Sequence, residues 1–105
     1  MAEATHAELT NENYAATIGG GKWIVDFWAT WCAPCRMQGR ILEEGAEALE
    51  KAGIKVGKVN IDEEQQLAIR FNVASIPTLV LYKDGAEFRK FVGVQQLQTL
   101  IDAFK

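Results

Sequence analysis

The chain is poor in the residues that usually announce a specialised class. It has two cysteines, two prolines and one histidine in 105 residues. No apolar run approaches the roughly 20 residues of a membrane-spanning helix, so none is expected. There is no excess of positive charge. The net charge of −3 makes nucleic acid and anionic membranes poor partners. The start, "MAEATHAELTNENYA", has neither a basic region nor an apolar stretch and does not read as a signal peptide. A cytoplasmic protein is therefore expected, where two cysteines are ill suited to a structural staple. No second cysteine pair exists and the one histidine, His6, lies near the terminus. A structural zinc site, which wants four protein ligands, is disfavoured. The chain has no Gly-rich dinucleotide motif, so no bound nucleotide cofactor is expected. Repeats, linkers and low-complexity segments are lacking too, and the length fits one domain spanning 1–105.

What remains has the balance of a globular domain, 49% hydrophobic and 24% charged. Thr10 is placed to cap a short helix over "NENYAATI", ended by Gly19, Gly20 and Gly21. "KWIVDFWA" (22–29) and "IKVGKVNI" (54–61) read as strands covered on both faces. Between them, one helix is expected from Pro34 to about Lys51. Ile41, Leu42, Gly45, Ala48 and Leu49 form its apolar face, and Gly53 its stop. Asp62 is expected to cap "EEQQLAIRF". "TLVLYK" and "EFRKFV" form a hairpin across Asp84-Gly85. Leu97, Leu100, Ile101 and Phe104 give a last helix one apolar face. The order predicts an α/β fold, a central mixed sheet with helices on both faces.

The two cysteines stand together in "WCAPC" (31–35), directly after the first covered strand. Two sulfurs two residues apart at a helix start can close and reopen a small disulfide ring. Cys32 falls at the helix N-terminus, where unpaired N–H groups and the dipole favour the thiolate that attacks disulfides. Pro34 restrains the ring, and Cys35 lies one turn inward, shielded, as a resolving thiol would. The bland readings are half of a zinc site or two inert buried thiols; tryptophan beside the pair and its helix-start position argue against the latter. Asp26 stands between Val25 and Phe27 within the strand. It is either a solvated side chain or a desolvated carboxyl with a raised pKa. The plainer reading is an aspartate simply paired with a lysine, for which Lys58 of the neighbouring strand is the candidate, and pairing is compatible with desolvation. Pro77 opens a strand in "ASIPTLV". Most X–Pro bonds are trans, a tight turn favours cis, and the residues alone leave the isomer open.

"VDFWATWCAPC", "KVNID", "SIPTLVLYKDG" and "FVG" resemble the thioredoxin family in order and spacing, over nearly the whole chain and least before residue 20. The resemblance implies a thioredoxin-like fold and a thiol–disulfide oxidoreductase that reduces protein disulfides. By position it implies Cys32 as nucleophile and Cys35 as resolving cysteine. Asp26 resembles the buried acid that helps Cys35 exchange its proton, with Lys58 beside it. Trp28 and Trp31 frame the site. Ile76 and Pro77 match a cis-proline loop facing the disulfide, and Gly93 a glycine that keeps the substrate groove open. Trp31, Ala33, Ile76 and Val94 supply the groove's apolar surface. Regeneration by an NADPH-dependent thioredoxin reductase is implied, with disulfide-containing proteins as substrates, a monomer, and no cofactor beyond the Cys32–Cys35 disulfide. Two positions depart from the family pattern. Ala33 replaces the usual glycine, which shifts the expected redox potential. Arg40 replaces a helix-kinking proline, which restores an N–H and straightens the helix. The readings left beside a reductase are a disulfide oxidant or isomerase, and a redox-gated binding module without turnover.

Overall fold

The computed structural model describes residues 6–105. The first five residues, part of the start that does not read as a leader, lie outside the described residues. In chain order the elements are β1 (His6–Glu8), α1 (Tyr14–Thr17), β2 (Lys22–Trp28), α2 (Ala33–Glu44), α3 (Ala46–Lys51), β3 (Ile54–Asn60), α4 (Gln65–Arg70), β4 (Thr78–Lys83), β5 (Ala86–Val92) and α5 (Leu97–Ala103). The strands form one sheet in the order β1-β3-β2-β4-β5. β3 runs parallel to β1 and β2, whereas β4 is antiparallel to β2 and β5. The mixed sheet expected from the sequence is the one found.

Side chains alternate across a strand, so β2 feeds two cores. Trp23, Val25 and Phe27 join Leu9, Ile18, Leu67 and Val80 on one face, under α1 and α4. Ile24 joins Leu42, Leu49, Leu79, Leu81, Leu100 and Phe104 on the other, under α2, α3 and α5. Asp26 has the parity of Ile24, and Lys58 that of Ile54 and Val56. The register sets Asp26 directly beside Lys58. Both therefore fall on the face covered by the helix that carries the cysteines.

The helix ends test the sequence reading. Thr10 Oγ1 accepts the Asn13 N–H at 3.2 Å and Asn13 Oδ1 accepts the Thr10 N–H at 2.8 Å, which closes the turn before α1; the helix itself starts after Asn13 with no side-chain cap, so Thr10 caps that turn and not the helix. Asp84 (φ 51°) and Gly85 (φ 86°) both adopt the left-handed conformation that a two-residue hairpin turn demands. Two further expectations are corrected. Asp62 does not cap α4: that helix begins after Glu64, without a side-chain cap. Asn60 Oδ1 accepts the N–H groups of Asp62 and Glu63 instead, and the Asp62 carboxylate is engaged by Trp31. The single helix over 34–51 is two helices that meet at Gly45. A Cβ at Gly45 would stand 2.5 Å from Leu97 Cδ2, so α5 presses into the space that glycine leaves. Past the break the phase shifts: Ala46 is buried and Ala48, expected on the apolar face, is exposed. The helix runs uninterrupted through Arg40, in line with the loss of proline there.

Gly57 of β3 gives a direct test of packing. A Cβ there would stand 2.5 Å from Leu9 Cδ1 and 2.9 Å from Cγ, and Leu9 is itself fully buried. Gly57→Ala is expected to lower stability by about 1–3 kcal/mol, the usual cost of overpacking a filled core. Denaturant unfolding checks this; an unchanged midpoint would show that Leu9 yields freely.

Candidate active site

The site lies where β2 ends and α2 begins. Cys32 is the N-cap of α2 in an extended conformation (φ −98°, ψ 108°), and Ala33 and Pro34 form its exposed first turn. Pro34 costs nothing here, because a first-turn N–H has no intrahelical partner. Cys32 and Cys35 are joined by a disulfide with their Cα atoms 5.2 Å apart. Cys32 Sγ also accepts the backbone N–H of Cys35 at 3.2 Å. An N–H of the first helical turn thus points at this sulfur, and the same contact would favour a negative charge on it. In the oxidised form both cysteines are buried, Cys32 at 5% exposure and Cys35 at 3%. The expected difference in exposure is therefore slight, and the helix-end position separates the two sulfurs better.

The sulfurs sit in a small apolar cluster with Ala29, Trp28, Ile61 and Ile76. Cys32 Sγ lies 3.9 Å from the carbonyl oxygen of Ile76. The Ile76–Pro77 peptide is cis, which the residues alone left open. The Gly93 N–H donates to the Pro77 carbonyl at 2.9 Å, and Gly93 has a φ of 94°, a conformation that favours glycine. Val94 follows, half-buried. Trp31 is 66% exposed beside the pair, its ring held by an Nε1–H bond to Asp62 Oδ2 at 2.9 Å. Trp28 is half-buried under the Lys58 ammonium, which lies 5.6 Å from its ring centre.

Behind Cys35 lies an open cleft of about 410 Å³, lined by Cys35, Trp28, Lys58, Arg36, Gly39, Arg40 and Glu43. Lys58 reaches it; Asp26 does not line it. Asp26 is fully buried, with Lys58 Nζ 3.1 Å from Oδ2. Among the described residues Oδ1 has no hydrogen-bond partner, so Lys58 is the one group that offsets the burial of this carboxylate. Burial pushes the Asp26 carboxyl above the usual carboxylate range, and the Lys58 charge only partly opposes this. The desolvated reading of Asp26 and the paired one are thus both met. A Cβ on Gly39 would lie 3.4 Å from Lys58 Nζ, so the ammonium rests against α2 one turn beyond Cys35.

The structure thus gathers Cys32, Cys35, Ile76, Trp28 and Lys58 around the disulfide. Pro77 and Gly93 are bonded at one edge, Asp26 stands behind Lys58, and Trp31, Ala33 and Pro34 form the exposed rim. Among the described residues no group of three or more His, Cys, Asp or Glu is placed to hold a metal ion. Nor is any helix of the described residues long and apolar enough to cross a membrane. Sequence reasoning missed Gln38, which is fully buried three residues after Cys35. Its only signal was its place on the face of α2 shared with Cys35 and Leu42.

A family model described as Thioredoxin matches residues 5–105. The chain belongs to the thioredoxin family. Thioredoxin of Alicyclobacillus acidocaldarius is 43% identical over 93 residues, 88% of each chain. Thioredoxin of Chlamydia pneumoniae is 44% identical over 92 residues, again 88% of each. That of Staphylococcus saprophyticus is 41% identical over 99 residues, 93% of each. The crystal structure of Malassezia sympodialis thioredoxin (Mala s 13) superposes with a TM-score of 0.84 at 29% identity, covering 94% of this chain and 92% of that one. With the disulfide of the "WCAPC" segment, membership of the thioredoxin family makes this a thiol–disulfide oxidoreductase, a protein-disulfide reductase.

Proposed function

We propose that this single-domain protein works as a cytoplasmic, monomeric electron carrier in which Cys32 attacks and Cys35 resolves. In the reduced state the Cys32 thiolate attacks one sulfur of a substrate disulfide. A mixed disulfide forms, the substrate's S–S bond breaks, and the leaving thiolate takes a proton. Cys35 then loses its proton and attacks Cys32 Sγ, which releases the second substrate thiolate and closes the Cys32–Cys35 bond. The substrate gains two electrons and the dithiol loses two. The observation that carries the assignment is the Cys35 N–H held 3.2 Å from Cys32 Sγ at the start of α2. That position favours thiolate character on Cys32 and not on Cys35.

Asp26, through Lys58 and the cleft beside Cys35, takes the proton that Cys35 must lose. Trp31, Ala33, Pro34, Ile76, Pro77, Gly93 and Val94 form the groove for the substrate chain, and Trp28 supports the sulfurs from behind. An NADPH-dependent thioredoxin reductase returns the electrons, and disulfide-containing proteins take them. Insulin reduction with dithiothreitol tests turnover; a protein that only binds gives no acceleration. Brief iodoacetamide treatment of the reduced protein is expected to label Cys32 predominantly. Predominant labelling of Cys35 would reverse the two roles.

A further inference from the structure

Gln38 is a fully buried polar side chain of α2, one turn beyond Cys35. A buried amide must find partners, and a half-satisfied one is costly. Both of its groups meet the backbone of one residue. Nε2–H donates to the Gln95 carbonyl at 3.1 Å, and Oε1 accepts the Gln95 N–H at 2.7 Å. Gln95 lies in the 93–96 connection between β5 and α5, which forms no regular element. Its own side chain donates to the Gly93 carbonyl at 3.3 Å, and the Gly93 N–H donates to Pro77. A hydrogen-bonded path therefore runs from the helix of the sulfurs, through Gln95 and Gly93, to the turn facing the disulfide. Two bonds to one residue fix both its position and the direction of its backbone groups. A single contact would leave the loop free to pivot.

We infer that Gln38 is a positioning residue for protein substrates: it holds the 93–95 loop at the distance from Pro77 that the substrate chain requires, without touching substrate or sulfur. This rests on the proposed reading of Ile76, Pro77, Gly93 and Val94 as the groove. The sulfurs keep their own surroundings, because the Cys35 N–H and the Ile76 carbonyl do not involve Gln38. Loosening the loop should therefore weaken capture of a folded or extended chain and spare the exchange chemistry.

The test compares a protein disulfide with a small one. Gln38→Leu keeps most of the volume and removes both hydrogen bonds. With dithiothreitol as reductant, its KM for insulin is expected to rise about tenfold with kcat within about twofold. Its rate with 5,5′-dithiobis(2-nitrobenzoate) and its redox potential should match the wild type. A purely structural role would leave KM alone, or lower both activities together; either result overturns the inference. Gln38→Glu carries the test if Gln38→Leu does not fold. A protonated carboxyl donates and accepts as the amide does, so its KM should be near wild type at acid pH and rise as the group ionises. A KM equal to wild type at every pH overturns the inference. Val94→Asp separates the two readings. If it raises KM and Gln38→Leu does not, this inference alone fails; if neither does, the groove reading fails and takes this one with it.

Discussion

Cys35→Ser is expected to accumulate a mixed disulfide between Cys32 and substrate, while Cys32→Ser accumulates none. Both should lose turnover by about a thousandfold or more, as removal of an attacking group commonly does. The difference between them follows from the helix start. The donor that approaches Cys32 Sγ is the backbone N–H of residue 35, so it survives replacement of the Cys35 side chain. Cys32 in Cys35→Ser should keep its thiolate character and attack normally. What is lost is the second step, because no thiol stands within the 5.2 Å Cα separation to displace substrate from Cys32. In Cys32→Ser the remaining thiol is Cys35, buried with Trp28 and Ile76 around it. It lies inside the first turn of α2 and not at the N-cap, and only 3% of its surface is exposed even beside the cleft. Non-reducing electrophoresis after incubation with insulin, followed by mass analysis of the adduct, reads the outcome. Adducts on Cys32→Ser but not on Cys35→Ser would exchange the two roles.

The parts of this site that were legible in the sequence are those decided locally. "WCAPC" carries its own helix start, since Pro34 suits a first turn and Cys32 falls just before it. Asp26 and Lys58 were readable as a pair because each lies in a strand with both faces covered, and strands of such units run parallel. The observed register sets them side by side. Asp84-Gly85 announced its turn because few other residue pairs adopt left-handed backbone twice in succession.

What could not be read depends on residues far apart in the chain. The bend at Gly45 exists because Leu97 comes from α5 to fill the space above it. Helical periodicity in 34–51 carries no trace of that side chain. Asp62 has the right chemistry for a cap, but Trp31 takes its carboxylate and Asn60 turns the chain instead. Gln38 looks like any polar residue on a helix until its partner, 57 positions later, is placed beside it. The Ile76–Pro77 isomer was open for the same reason, since it is settled by the surrounding turn and not by the dipeptide.

Asp26→Ala is expected to make the protein more stable at neutral pH and slower. Burial raises the Asp26 carboxyl, and Lys58, although close, does not compensate. The folded state therefore holds this proton to higher pH than the unfolded chain, whose carboxyl titrates near 3.9. Below that unfolded value the group contributes its full share to stability. That share is lost as pH rises through the folded pKa, because the native protein must then ionise a carboxyl that water does not reach. Removing the carboxyl removes the loss. Breaking a buried ion pair usually costs several kcal/mol, because the surviving charge is stranded. Here the survivor is Lys58, whose side chain is 23% exposed and reaches the open cleft, so it can be hydrated. The gain should then be on the order of 1 kcal/mol, the low end of the about 1–4 kcal/mol found when a whole buried pair is replaced by packed apolar groups, because alanine leaves Lys58 in place and fills less volume. The difference in stability between variant and wild type should widen as pH rises above about 4 and level off once Asp26 has ionised. The same change withdraws the group proposed to take the proton from Cys35, so disulfide reduction should slow by about tenfold or more near neutrality. Denaturant unfolding across pH and insulin-reduction rates, for wild type and Asp26→Ala, read both arms. A variant that is less stable yet equally fast would make Asp26 a well-paired structural carboxylate with no part in the exchange.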